Sequence, residues 1–344
     1  MMWNKWKYYL CVLLLGCSGL FRMEAAPSVD VQEMVFSHLR DDYSWHITTW
    51  ENQEISLPLP VLVKGEQQGW DCFLSSRLKE GATYHGFFVA QEGPHAGKIV
   101  TRNALGEEVR PLDLSITKDV VAIWISSILL VTIILSVAHW YKRHPLEAPG
   151  GCVGLVETCV EFVHEEVIQA NVGSHYRAYA PYLLTLFFFI LLNNLLGLIP
   201  VFPGGANVTG NISVTLVLAL ITFVIVNLSG TKHYWKDIFW PDTPLFLKCP
   251  LPIMPVVELL GIFTKPFALM IRLFANIMAG HTIILGLTSL VFISVSLGVA
   301  INSAMTTVSV LFCVFMNGIE LLVAFIQAYV FTLLTAVYIG LAKA

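Results

Sequence analysis

The stretch ALMIRLFANIMAGH, residues 268–281, places an arginine in the middle of a long apolar segment. Arg272 has no acidic residue within one helical turn on either side. A charge at the centre of a bilayer costs about 2.5–3.5 kcal/mol even on the more permissive insertion scales. Ionisable residues at that depth usually face a protein interior or a water-filled cavity and mark an ion pathway. The segment therefore predicts a functional site inside a membrane.

The composition agrees with a membrane protein. The chain has 344 residues, of which 56% are hydrophobic and 13% are charged, about half the charged fraction of a soluble domain. Charges recur every few residues between 27 and 118, whereas only Arg272, His281 and Glu320 are readily ionisable between 266 and 342. We predict an accessory domain at 27–118 and a membrane domain at 119–344. No basic patch points to nucleic acid.

Five apolar runs are long enough to cross a bilayer as helices. They cover about 120–140, 180–201, 212–228, 255–297 and 301–342. The last two would each be about 60 Å long, twice the hydrocarbon thickness. We therefore expect an all-α membrane domain whose last two helices are steeply tilted and pack as a hairpin, turning near residues 300–302 beside the polar break INS.

The loops between these runs differ in charge. Basic residues follow the first, third and fifth runs, at 139–144, at 231–237 and at Lys343, and the other two loops carry no charge. Because positive loops face the cytoplasm, the N-terminus is predicted outside and the C-terminus inside. Valines and glutamates on different sides of 152–172 predict an amphipathic helix at the cytoplasmic interface.

The first 26 residues have a basic start, a short apolar core and small residues after it, which is typical of a signal peptide. The stretch LLGC also fits a lipoprotein cleavage box with Cys17 lipidated, and an uncleaved anchor is a third alternative. All three place residues 27–118 outside the cytoplasm. Short β-like runs between glycine-rich turns predict a small β-rich domain there.

Neither a metal site nor a cofactor site is predicted. HEEVI, residues 164–168, falls short of a zinc-protease motif because Ile168 stands where the second histidine is needed. Cys152 and Cys159 share a helix face but lack further ligands. An intramembrane hydrolase built on His281 and Glu320 would need a nucleophile or metal set at a suitable spacing, and the sequence has none. A secondary transporter would need broken-helix repeats in both halves, and none is visible.

The residues around Arg272 form a stripe at helical spacing. At about 100° per residue, Asn276 and Glu258 each lie within about 40° of Arg272. Small residues accompany the stripe and would let another helix approach closely: Ala268, Ala275 and Ala279. Two other interpretations stay open, since Arg272 could snorkel to a lipid headgroup and Glu258 could be a solvated interfacial acid.

The last run carries polar residues that match this helix. Glu320 and Gln327 are seven residues apart and share a face. In the predicted hairpin, position 281 is about level with 320 and position 272 with about 329. Glu320 would then meet His281, and Gln327 would reach the level of Arg272. Such a His–Glu pair could pass protons or could be a purely structural ion pair.

ELLGIFTKPFALMIRLFANIMAGH, followed by GIELLVAFIQAYVFTLLTAVYI, resembles subunit a of the F-type ATP synthase, the stator half of its proton channel. NNLLGLIP at 193–200 and NISVTLVLAL at 211–220 extend the likeness, which covers about residues 115–342. The resemblance implies a non-catalytic subunit of a bacterial inner membrane without a cofactor. Its implied partners are the c-subunit ring, the peripheral-stalk b subunits and membrane lipids.

The resemblance also implies residue roles. Arg272 would face the c-ring carboxylates, with Asn276 and Gln327 beside it. Many members have an acid where this chain has His281 and a histidine where it has Glu320, so the two residue types are exchanged here. Gly197 stands where some members have an aspartate. Two offset half-channels are implied, the outer one passing His281, Glu320, Asn276 and Gln327, and the inner one passing Glu258.

Overall fold

The computed structural model describes residues 41–50, 53–65, 69–91, 93, 95–103, 106–199, 204–240 and 253–343. The predicted signal peptide, residues 1–26 with Cys17, lies outside the described residues.

Short antiparallel strands make up the described N-terminal part. They are β1 Ser44–Trp50, β2 Gln53–Pro58, β3 Pro60–Gly65, β4 Gly69–Leu74, β5 Phe87–Val89, β6 Ile99–Arg102, β7 Glu108–Val109 and β8 Leu112–Asp113. Three sheets result, ordered β1-β2, β4-β3-β8 and β5-β6-β7. Alternation along β3 buries Val61 and Val63 against Phe73 and Phe87. The predicted β-rich character is confirmed for these residues.

Helices make up the rest of the described chain. They are α1 Lys118–Arg143, α2 Gly151–Phe162, α3 Ala170–Val172, α4 Tyr176–Leu198, α5 Ile212–Ser229, α6 Lys232–Phe239, α7 Ile253–Ser294 and α8 Val299–Lys343. Among the described residues, five helical stretches are long and apolar enough to cross a membrane, counting 151–198 as one. The five spans predicted from the apolar runs are thereby confirmed in number, by length and composition.

The predicted amphipathic helix corresponds to α2, a π-helical turn at Val163–Gln169 and α3. Val163, Val167 and Ile168 are buried, whereas Glu161 and Glu165 are exposed. The apolar side packs into the core formed with α4 and α8. A glycine with positive φ and a single 3₁₀ turn at Gly173–His175 separate this stretch from α4. The division into two faces thus agrees with the sequence pattern.

The helices α7 and α8 pack against each other as a hairpin. The chain turns earlier than predicted, through a 3₁₀ turn at Val295–Leu297 and Gly298, whose φ of 101° favours glycine. Residues 300–302, where the turn was predicted, lie inside α8 instead. Ser294 Oγ donates a hydrogen bond to Asn302 Oδ1 at 2.8 Å. Asn302 thus lies in the first turn of α8 with its side chain bonded across the turn.

The main hydrophobic core lies where α4, α7 and α8 meet. It contains Leu183 and Phe187 of α4, Leu269 and Leu273 of α7, and Phe331 of α8, all essentially without exposed surface. In α7 the buried positions recur every four residues, so the opposite side of the same helix is left uncovered.

Candidate functional site

The uncovered side of α7 carries the stripe that the sequence predicts. Leu269, Leu273 and Ile277 fix the buried side of the helix. Five residues of the stripe are exposed on the other side: Ala268, Arg272, Ala275, Asn276 and Ala279. This surface combines one charge, one amide and three small side chains, and its geometry suits the close approach of another helix.

The Arg272 guanidinium has no hydrogen bond or ion pair with any residue that the structure describes. Its charge does interact electrostatically with Tyr338 of α8. Arginine stays protonated under all physiological conditions and presents five donors in a planar fork. The side chain is therefore a fixed cation whose donors are available to a group outside this chain.

Asn276 connects the stripe to α8. Its Nδ2 donates a hydrogen bond to Gln327 Oε1 at 2.8 Å, and Gln327 is only 2% exposed. The two amides thus lie one turn along α7 from Arg272, one at the surface and one beneath it. The structure joins Asn276 to Gln327, and Arg272 lies one turn away from Asn276 on the same side of α7.

His281 and Glu320 lie next to each other on α7 and α8. His281 Nδ1 is 3.3 Å from Glu320 Oε1, and the glutamate is 4% exposed. Neither carboxyl oxygen has a hydrogen-bond partner among the described residues, so the distance is that of an ion pair without hydrogen-bond alignment. A buried carboxyl group without a hydrogen-bond partner is costly, which favours a functional interpretation of the pair.

Gly280 provides the space that the Glu320 carboxyl group occupies. A Cβ atom at position 280 would lie 2.7 Å from Glu320 Oε1 and 3.0 Å from its carboxyl carbon. Real Cβ atoms do not approach other atoms so closely, so any larger residue would displace the carboxyl group. Gly280 was not predicted from the sequence, where the glycine directly before His281 was the available signal.

A second polar layer, also missed from the sequence, lies beside this pair. The Asn194 side chain is 3% exposed, accepts a hydrogen bond from Thr209 Oγ1 at 2.7 Å and donates one to the Ala324 carbonyl at 3.2 Å. A Cβ atom at Gly197 would lie 3.8 Å from His281 Nε2. Position 197 therefore borders the imidazole, and the asparagine pair within the second apolar run was the signal for this layer.

Glu258 lies apart from these groups. Fourteen residues separate it from Arg272, which corresponds to about 21 Å along α7. It is half-buried and lines a cavity of about 290 Å³ with His233, Asp237 and Lys265. Burial and the charge of Glu258 raise the pKa of the Tyr234 hydroxyl in α6. The structure thus places Glu258 in a polar cavity between α6 and the start of α7.

No cluster of three or more metal-ligating side chains occurs among the described residues. The arrangement can exchange protons at His281 and Glu320 and can attract an anionic group to Arg272. These two properties suit a site that transfers protons and binds an anionic group.

Two family models match the chain. One is described as ATP synthase A chain and matches residues 120–340. The other is described as a domain of unknown function, DUF8433, and matches residues 34–114. The two matches do not overlap.

Curated relatives match as well. "ATP synthase subunit a 2" of Chlorobaculum tepidum is 47% identical over 247 residues, which cover 69% of this chain and 66% of the relative. "ATP synthase subunit a" of Chlorobium phaeobacteroides is 40% identical over 286 residues, which cover 77% and 80%. "ATP synthase subunit a" of Myxococcus xanthus is 42% identical over 241 residues, which cover 68% and 74%.

Proposed function

This chain belongs to the ATP synthase A chain family and is a multi-pass bacterial membrane protein of the ATP synthase, and we propose that it couples proton flow to rotation of a c-subunit ring. The observation that carries the proposal is the fixed cation of Arg272, which lies on the exposed stripe of α7 and has no hydrogen bond or ion pair with the described residues. A carboxylate carried past that stripe on a neighbouring helix would be its natural partner.

The role proposed for Arg272 is electrostatic. A nearby positive charge favours the ionised form of a carboxyl group and lowers its pKa, so a c-ring carboxyl group must release its proton before it passes. The same charge repels a proton that would otherwise cross directly between two half-channels. Proton flow then requires the ring to turn. Asn276, held by Gln327, would guide the approaching carboxylate.

The outer half-channel is proposed to pass His281 and Glu320, then Asn276 and Gln327, and the inner one to pass Glu258. The 3.3 Å contact between His281 and Glu320 supports proton exchange between them. The polar cavity at Glu258 supports access of water to the other end of α7. In this proposal the N-terminus lies outside and the C-terminus lies in the cytoplasm.

The remaining assignments follow from the same proposal. Residues 1–26 would be a removed signal peptide, 27–118 an accessory domain outside the cytoplasm, and 119–344 the channel domain, whose last two helices are steeply tilted. Peripheral-stalk b subunits and membrane lipids would contact other faces of the helices. The chain itself would catalyse no nucleotide chemistry.

Photo-crosslinking tests which protein covers the stripe. Ile283 is 46% exposed and lies about 20° around α7 from Arg272. A photo-crosslinking amino acid at position 283, in the intact complex, is expected to capture the c subunit, identified by mass spectrometry. The matched control is Leu135 of α1, which is 63% exposed and should capture lipid. Equal capture of the c subunit from both positions, or from position 135 alone, would contradict the proposed ring surface.

Glu258 gives a graded prediction. Glu258→Gln is expected to slow ATP synthesis a few-fold and Glu258→Ala to slow it further, because a carboxylate at an exit path concentrates protons locally. Neither change should uncouple the complex, since water reaches this end through the cavity.

Labelling tests the side of the membrane that Glu258 faces. Glu258→Cys should react with an impermeant thiol reagent in inside-out vesicles and not in intact cells, with the unsubstituted chain as the background control. Labelling from the outer face alone would reverse the proposed direction of α7 and assign Glu258 to the inlet.

A further inference from the structure

A second buried carboxyl group lies at the outer start of α1. Asp119 is the second residue of the helix and is 4% exposed. Its Oδ2 accepts a hydrogen bond from Asn211 Nδ2 at 2.8 Å. Its Oδ1 is buried and has no hydrogen-bond partner among the described residues. An acid that only stabilises a helix N-terminus is usually solvated at the surface, whereas the Asp119 carboxyl group is buried.

The accessory domain covers this carboxyl group. Asp41 Oδ1 accepts a hydrogen bond from the backbone N–H of Asp119 at 3.2 Å. Apolar residues join these parts of the chain in one buried cluster: Trp45 of β1, Ala122 of α1, and Ala206 and Val208 before α5. Besides Asp41, the charged groups that act on Asp119 are Lys118 and Lys98. Residues from three separate segments therefore enclose it.

The segment that binds Asp119 also reaches the His281 region. Asn211 directly follows a buried run at 206–210. Within this run, Asn207 Nδ2 lies 3.6 Å from Met278 Sδ. Thr209 donates to Asn194. The Ala206 carbonyl lies 3.5 Å from the Cβ position of Gly197, which itself borders His281. One short polar segment thus extends from Asp119 to the neighbours of the His281–Glu320 pair.

The accessory domain also has a cavity near this place. A cavity of about 330 Å³ is lined by Asp42, Tyr43 and Ser44, among others. Asp42 follows Asp41 directly, and its carbonyl accepts the backbone N–H of Lys118 at 3.0 Å. The cavity therefore begins within two residues of the groups that hold Asp119.

We propose that Asp119 is the entry carboxyl group of the outer half-channel and that the accessory domain forms the mouth around it. This inference rests on the proposed function. A proton from the outer solution adds to the Asp119 carboxylate. It then leaves toward the His281–Glu320 pair, which restores the carboxylate for the next proton. Asn211 positions the group by binding the oxygen that does not need to exchange.

The test compares two substitutions of Asp119 in the intact complex. Asp119→Asn keeps the shape and the acceptor for Asn211 but cannot exchange a proton at this position, whereas Asp119→Glu keeps the carboxyl group and disturbs the shape. Passive proton conduction is measured in membranes stripped of the soluble sector and is divided by the amount of assembled chain. We expect Asp119→Asn to conduct on the order of tenfold more slowly than wild type and Asp119→Glu to conduct faster than Asp119→Asn.

A purely structural role gives the opposite order, because the isosteric Asp119→Asn would then match wild type or exceed Asp119→Glu. That order would overturn the inference, as would failure of Asp119→Asn to assemble when Asp119→Glu assembles. Arg272→Ala is measured in parallel. If Arg272→Ala supports normal ATP synthesis, the proposed function itself fails. If Arg272→Ala abolishes synthesis and Asp119→Asn conducts normally, only the entry role of Asp119 fails.

Discussion

Replacement of Arg272 by alanine is expected to abolish ATP synthesis and ATP-driven proton pumping while the complex still assembles. The side chain is exposed on α7 and forms no hydrogen bond or ion pair with the described residues, so its removal leaves the packing of this chain intact. What the substitution removes is the proposed interaction of the Arg272 charge with a passing carboxylate. Synthesis and pumping are measured in inverted membranes, and assembly is measured by co-purification of the c subunit.

Arg272→Lys is the matched control because it keeps a positive charge. We expect no rescue, since a lysine loses its proton readily on desolvation and lacks the planar fork of arginine. Passive conduction should persist in Arg272→Ala, because the charge that prevents direct leakage is gone. Wild-type rates of synthesis in Arg272→Ala membranes would refute the role proposed for this residue.

Alanine at either His281 or Glu320 is expected to slow proton flow strongly, by about tenfold or more. The two side chains are 3.3 Å apart, and the glutamate is buried, so removing one leaves the other without its neighbour. The reciprocal exchange, His281→Glu with Glu320→His, should retain more activity than either half alone. Acid-pulse conduction in stripped membranes gives the rates.

A double-mutant cycle is the control for this pair. If His281 and Glu320 act as one unit, the double alanine variant should lose less than the sum of the two single losses on a free-energy scale. Simple additivity would mean that they act independently. An exchange variant slower than both of its halves would show that each position demands its own residue.

The helical stripe of α7 was predictable because it depends on local spacing alone. Arg272 and Asn276 are four residues apart and must share a face of any α-helix. The approach of Gln327 on α8 was predictable because one short turn connects the two helices, which limits the possible registers. The predicted turn was about four residues late because Asn302 looked like a break, yet its side chain has a partner across the turn.

Contacts between distant segments could not be read from the sequence. Asn211 and Asp119 are 92 residues apart and meet only because the accessory domain, α1 and the segment before α5 fold together. The Gly280 space depends on a side chain of another helix. Neither contact leaves a periodic pattern, and both concern the environment of carboxyl groups, which local spacing does not determine.

The space at Gly280 has a consequence for hybrid chains. Because the side chain at 320 fills the volume that position 280 leaves open, α7 and α8 have shapes that were matched to each other. A chimera that takes α7 from one relative and α8 from another would combine an unmatched acid, base and cavity. The two helices of the hairpin should therefore be exchanged together, with the crossover point before residue 253 rather than at the turn.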